Sequence, residues 1–370
     1  MSVCRGRTAI AAAALSLAMA VSLAACGEAG ESTGSGGTAP GKGGFTIGLL
    51  LSQNVQTRWD AFDKPLIEKK IKELCEDCTM EYANAGGDVA TQKQLAENLI
   101  NKGVDVLILS AVNFRSLHSS VERAQDAGVP VVAYDGLVEG PISAYVSFDN
   151  EQVGKIQAEA LLKALGDKAD SGQIVMMNGP QTSPTNVAFK KGALSVLKGE
   201  VKIGKTYDIQ GWSREKAHTN MDGAIAALGA DSIDGVYAAN DGLASGVISA
   251  LKVAGVEPLP PVTGQDADLA AVQRIIRGEQ YMSVYKPFKA EADAAAEMAV
   301  ALGRGEKLDA IAEATVDTAT TKNIPAVLLD PIPVTVDNVK DTVVKDGMYT
   351  IDQICTPKVA SACEKAGLTD

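Results

Sequence analysis

From residue 45 onward the sequence alternates between short β-rich apolar runs and longer stretches of helical periodicity, a pattern few folds accommodate. Strands are expected at 45–51, 80–85, 105–111, 129–135 and 144–148, with helices at 58–76, 88–102 and 115–127 between them. VDVLILSA (104–111) and VPVVAYDG (129–136) are almost continuously apolar, as parallel strands covered on both faces must be. The pattern then repeats. Strands at 173–178, 202–209, 235–240, 261–265 and 281–286 alternate with helices at 185–198, 213–229, 242–254 and 268–277. Two series of βα units predict an α/β protein with two doubly wound parallel sheets. The joining stretch AYVSFDNE (144–151) lacks linker composition, so it reads as a hinge strand running directly from one lobe to the other.

The amino terminus reads as an address. Arg5 and Arg7 precede an uncharged apolar run from 8 to 25, which ends in Leu23-Ala24-Ala25-Cys26. That is the pattern of a bacterial lipoprotein signal, cut before a Cys26 that then carries lipid. Residues 27–44 hold eight glycines and no large apolar side chain, so they read as a flexible tether, and the partial P-loop string 36–42 within them reads as linker too. Without Arg5 and Arg7 the net charge goes from −12 to −14. No basic concentration exists to follow a phosphate backbone, which argues against a nucleic-acid partner. Four further cysteines form two local pairs, Cys75/Cys78 and Cys355/Cys363. In an exported chain such pairs read as disulfides; a redox C-x-x-C or a zinc site fits the placement at a helix end less well.

Ligands of open α/β sheets sit at the carboxyl ends of the strands. Here those ends carry Arg58, Trp59 and Asp135 in the first series. The second series adds Asn186, Trp212, Asn240-Asp241, Gln265-Asp266 and Lys286. Carboxylates and amides pair with adjacent hydroxyls, Arg and Lys donate to hydroxyl or ring oxygens, and an indole packs on the C–H face of a sugar ring. The chain has only two Trp, and both fall at strand ends. Asp135, Asp241 and Asp266 also read as helix N-caps, Asp241 foremost.

At these residues the chain resembles the periplasmic sugar-binding proteins of ABC importers, of the ribose/xylose-binding type (type I). The marks are Arg58-Trp59, Gly103-Val-Asp-Val-Leu, Val132-Ala-Tyr-Asp135, Ser147-Phe-Asp-Asn-Glu-Gln-Val-Gly154, Asn240-Asp241, Gly264-Gln-Asp-Ala-Asp-Leu269 and Val284-Tyr-Lys-Pro287. The resemblance implies two Rossmann-like lobes joined by a three-segment hinge. It assigns 45–147 plus 287–324 to the N-terminal lobe, 148–286 plus 325–356 to the C-terminal lobe, and 357–370 to a tail. It implies ligand contacts from Arg58, Asp135, Asn186, Trp212, Asn240, Asp266 and Lys286. It also implies a monosaccharide ligand, D-xylose foremost, and an ABC permease with its ATPase as partners. The family commonly has Arg after the Asp at 135, where this chain has Gly136, and so lacks a bidentate donor. A monomer held outside the cytoplasm by its lipid is expected, with no cofactor and no metal.

Rival classes fit less well. No H-E-x-x-H and no strand-following G-x-S-x-G or G-x-G-x-x-G is present, which argues against an enzyme. Asp241 and Asp266 could in principle serve glycoside hydrolysis. Regulators of this fold carry a DNA-binding helical segment where this chain has Cys26 and its tether, while presentation of a sugar to a sensor or chemoreceptor stays open.

Overall fold

The computed structural model describes residues 43–54 and 58–369. The expected signal, Cys26 and the tether up to residue 42 lie outside them.

The first series builds β1 (Thr46–Leu51), α1 (Lys64–Leu74), β2 (Thr79–Asn84), α2 (Val89–Lys102), β3 (Val106–Leu109), α3 (His118–Asp126), β4 (Val131–Tyr134) and β5 (Ala144–Phe148). The second builds α4 (Asn150–Leu165), β6 (Gln173–Asn178), α5 (Pro184–Leu197), β7 (Lys202–Asp208), α6 (Arg214–Leu228), β8 (Gly235–Ala238), α7 (Asp241–Val253), α8 (Leu269–Ile276) and β9 (Ser283–Tyr285). The chain then returns through α9 (Phe288–Gly303), β10 (Ala314–Val316) and β11 (Ile324–Leu329) before β12 (Ile332–Val334), α10 (Ile351–Ile354) and α11 (Ala360–Lys365).

The first sheet has the order β10-β11-β5-β4-β3-β1-β2, parallel except for β10 against β11. Its central strands β3, β4 and β5 are buried throughout, whereas edge strand β2 is only half-buried. Ile67 and Ile71 of α1 cover one face with Ala295 and Met298 of α9, and Leu99 of α2 covers the other with Val121 of α3. The second sheet begins β7-β6-β8. The expected strand at 261–265 forms instead two parallel bridges, Val236 to Val262 and Gln265 to Val284, which carry the series across to the antiparallel pair β9-β12.

The chain passes between lobes at 148–150, 286–288 and 329–332. The third passage corrects the expected one at 325, because residue 325 lies inside β11, which pairs with β5 of the first sheet. The Asp149 N–H donates to the Leu329 carbonyl at 3.0 Å and ties the first passage to the third.

Cys75 is bonded to Cys78 just after α1, with Cα atoms 5.3 Å apart; Cys355 is bonded to Cys363 across the α10–α11 turn at 5.9 Å. Among the described residues, no helix is long and apolar enough to cross a membrane.

Candidate functional site

Pro65 shapes the first arm of the site. It has no N–H for the carbonyl four residues back, and its ring crowds the preceding turn. The helix therefore opens into a π-turn over Trp59–Asp63, where the Lys64 N–H reaches the Trp59 carbonyl. This wide turn sets Arg58 at the mouth of β1 with Asp63 beside it. Arg58 Nε donates to Asp63 Oδ2 (3.0 Å), and Nη2 donates to Asp63 Oδ1 and to Glu291 Oε2 (2.8 Å each). Nη1 donates to Asp135 Oδ1 at 3.1 Å. Trp59 and Phe288 cover the two guanidinium faces, each ring centre 4.3 Å away. Four of the five guanidinium protons are thus engaged; the fifth is on Nη1, which lies 3.8 Å from Asp266 Oδ1.

Lys286 directly follows β9, is only 2% exposed, and comes at the same carboxylates from the second lobe. Its Nζ donates to Asp135 Oδ1 (3.1 Å), lies 3.7 Å from Asp266 Oδ1, and sits over the rings of Phe148 and Phe189. Asp135 and Asp266, one from each lobe, therefore share two cations.

Backbone strain concentrates here. Among the described non-glycine residues, left-handed φ occurs at Asp135 (55°), Trp212 (53°), Asp266 (98°) and Ala267 (52°), and elsewhere only at Asn323. Such conformations persist where the surroundings over-determine them. Tyr145 and Ser147 hydroxyls donate to the Asp135 carbonyl, and the Asp135 N–H bonds Val146. Asp266 N–H bonds Val284, Ala267 N–H bonds Ser283 Oγ, and Asp268 N–H bonds Asp241 Oδ2. Asp135, Trp212 and Asp266 of this set line one cavity of about 190 Å³ between the lobes.

That cavity is lined by seven of the eight expected residues: Arg58, Trp59, Asp135, Trp212, Asn240, Asp266 and Lys286. Asn186 is the exception. Its Oδ1 accepts from Gly179 N–H (2.6 Å) and its Nδ2 donates to the Pro180 carbonyl (3.0 Å), so it braces the loop behind the cavity wall. Asn240 rather than Asp241 caps α7, its Oδ1 accepting from Leu243 N–H at 2.9 Å. Asp241 is buried one residue on, where Gln280 and Ser283 also bond it. Gln53, Gln210, Ser183, Thr185 and Gly136 line the cavity too. Asp63 and Glu291, which sequence reasoning missed, lie behind it. Glu291 carried a signal: it stands one helical turn ahead of buried Ala294 and Ala295, on the apolar face of α9.

Burial resists ionisation of Asp135, yet Lys286 and Arg58 hold its carboxyl below the usual range. Burial pushes Asp266 up, against Lys286 and Arg58. Burial also pushes Glu291 up to about 8, assisted by Asp135 and Asp63. For Arg58 burial works the other way, and Asp63, Asp135 and Glu291 overcome it to keep the guanidinium charged. The site thus offers an ionised acceptor, a carboxyl that burial pushes up, two cations, an amide and an indole plate. Such a set holds a neutral, hydroxyl-rich ring.

Two Rossmann-type lobes with a polar cavity between their strand ends have the architecture of a solute-binding protein. Residues 47–307 match the periplasmic binding protein domain, and the chain belongs to that family. It is 37% identical over 314 residues to the D-xylose-binding periplasmic protein of Haemophilus influenzae, covering 83% of this chain and 91% of the relative. The Escherichia coli D-xylose-binding periplasmic protein is 38% identical over 309 residues, with 82% and 90% covered. Among solved structures, an ABC transporter solute-binding protein from Clostridium phytofermentans with bound β-D-glucose superposes with a TM-score of 0.78 at 29% identity. The match covers 84% of this chain and 99% of that one.

Proposed function

We propose that this chain captures a monosaccharide, D-xylose foremost, between its lobes by hinge closure and delivers it to an ABC permease. The convergence of Arg58, Asp135, Trp212, Asn240, Asp266 and Lys286 from both lobes on one cavity of about 190 Å³ carries this reading. A sugar there accepts from Arg58 Nη1 and Lys286, donates to Asp135 and Asp266, and lays its C–H face on Trp212. It bridges the two lobes and so favours the closed form. The two D-xylose-binding relatives support the choice of sugar. Cys26, as a lipid-bearing residue, would hold the protein at the outer face of the membrane beside its permease. Labelling with radioactive palmitate, lost in Cys26→Ala, tests that anchor.

A hexose is the second reading. Gly136 leaves the cavity wall beside Asp135 without a side chain, and the Clostridium structure carries glucose. Calorimetric titration of the purified protein with xylose, glucose, galactose, ribose and arabinose separates the two. Tightest binding of xylose supports the first reading, of glucose or galactose the second, and no binding of any sugar refutes both.

A further inference from the structure

Behind the cavity lies a carboxylate that touches no ligand position. Glu291 is fully buried in the first turn of α9, and its Oε2 accepts from Arg58 Nη2 at 2.8 Å while Oε1 has no partner. Every charged or titratable group around it belongs to the binding site or supports it. Arg58 and Asp63 face it from the π-turn, Tyr134 and Asp135 from β4 and its end, Tyr145 from β5, and Lys286 from the end of β9. Four carboxylates (Asp63, Asp135, Asp266, Glu291) surround two cations, so the fully ionised cluster has two negative charges in excess, and a proton on Glu291 halves that excess.

We propose that Glu291 is a positioning residue for ligand binding: with Asp63 it clamps the Arg58 guanidinium so that Nη1 alone is offered to the cleft, and it carries the proton that lets the cleft close. This rests on the reading of the cavity as the sugar site. Asp63 holds one edge of the guanidinium in a bidentate pair; Glu291 takes the remaining Nη2 proton and stops rotation toward Asp135. The elevated value of about 8 belongs to lobes already joined by Lys286 and Asp135; opening the cleft admits water to the cluster and lowers the Glu291 pKa from it. A group whose pKa is higher in the bound state supports binding fully below its free-state pKa. That support is lost as pH rises through the bound-state pKa.

The test titrates the full-length protein with D-xylose and D-glucose by calorimetry at about pH 7 and about pH 9. For the wild type, affinity falls at the higher pH. Glu291→Gln keeps the acceptor and the shape, so it binds near the wild-type level at neutral pH and its affinity no longer changes with pH. Glu291→Leu leaves Nη2 unpaired and lowers affinity about tenfold or more, and combined with Arg58→Ala it adds nothing to the loss caused by Arg58→Ala alone. Losses that add, wild-type affinity in Glu291→Leu, or a Glu291→Gln profile that falls like the wild type would overturn the proposal. If the Leu variant does not fold, the Gln profile decides. A wild type that binds no sugar refutes the site reading itself, a different result from a wild type that binds and an unaltered Glu291 variant.

Discussion

Gly179 gives the sharpest test of the cavity wall. An ideal Cβ built there would lie 2.3 Å from Trp212 Cη2 and 2.5 Å from Cζ2 and Cζ3. Ordinary carbon contacts are about 3.5 Å, so in Gly179→Ala the indole must retreat by roughly 1.2 Å. The backbone at 179 is not left-handed, so Ala brings no φ strain of its own. Since the other side of the indole is the cavity, the ring moves inward. An aromatic side chain presents about 200 Å² in all, so one face of about 70 Å² advancing by that distance removes about 80 Å³. The cavity holds only about 190 Å³. A monosaccharide then cannot seat flat, and affinity falls by about tenfold or more, equivalent to at least about 1.4 kcal/mol. Stability falls by about 1–3 kcal/mol from overpacking. Calorimetry with xylose and glucose reads the first quantity and thermal unfolding the second. Binding within about twofold of wild type in Gly179→Ala would show that Trp212 is not the wall against which the ligand packs.

Trp212→Ala and Asp266→Ala each weaken sugar binding by about 2 kcal/mol, roughly thirtyfold, through lost ring packing and through hydroxyls left unpaired; unchanged calorimetric affinity removes either from the site. Opening Cys355–Cys363, which closes a loop at a sequence separation of 8, lowers stability by about 2.5 kcal/mol, read as a lower denaturation midpoint for the Ser/Ser variant. Burial raises the Asp241 carboxyl from 3.8 to about 7, so the folded state retains a proton that the unfolded chain releases. Its contribution to stability is complete below about pH 4 and is lost as pH rises toward 7; the difference in unfolding free energy between wild type and Asp241→Asn, measured across that window, carries this slope.

The inner strands were legible because burial on both faces leaves a run such as VLIL no polar position. The strand ends were legible for the same reason: a polar residue directly after such a run has only the cleft to face. Orientation within loops was not legible. Asn186 sits on the first turn of α5 as expected, but whether its amide meets the ligand or its own loop depends on how 179–183 folds back, and no periodicity encodes that. Asn240 and Asp241 are both good cap residues, and only the tertiary demand of Ser283, Gln280 and the 266–268 loop decides between them. The third passage was misplaced because β11 buries only Ile324 and Ala326 and begins Ile-Pro, which hides a strand lying next to an edge. The π-turn needed Pro65 to be read against a helix that otherwise looks regular.

The three passages at 148–150, 286–288 and 329–332, two of them stitched together by the Asp149–Leu329 bond, act like parallel hinges on one door. Twisting or sliding one lobe against the other would strain at least one short strap, which leaves a single soft coordinate, the opening angle. On the proposed closure around a sugar, occupancy and geometry become one variable. A donor and an acceptor dye, one on each lobe, would report sugar concentration as a distance, with no enzyme and no consumption of the sugar being measured.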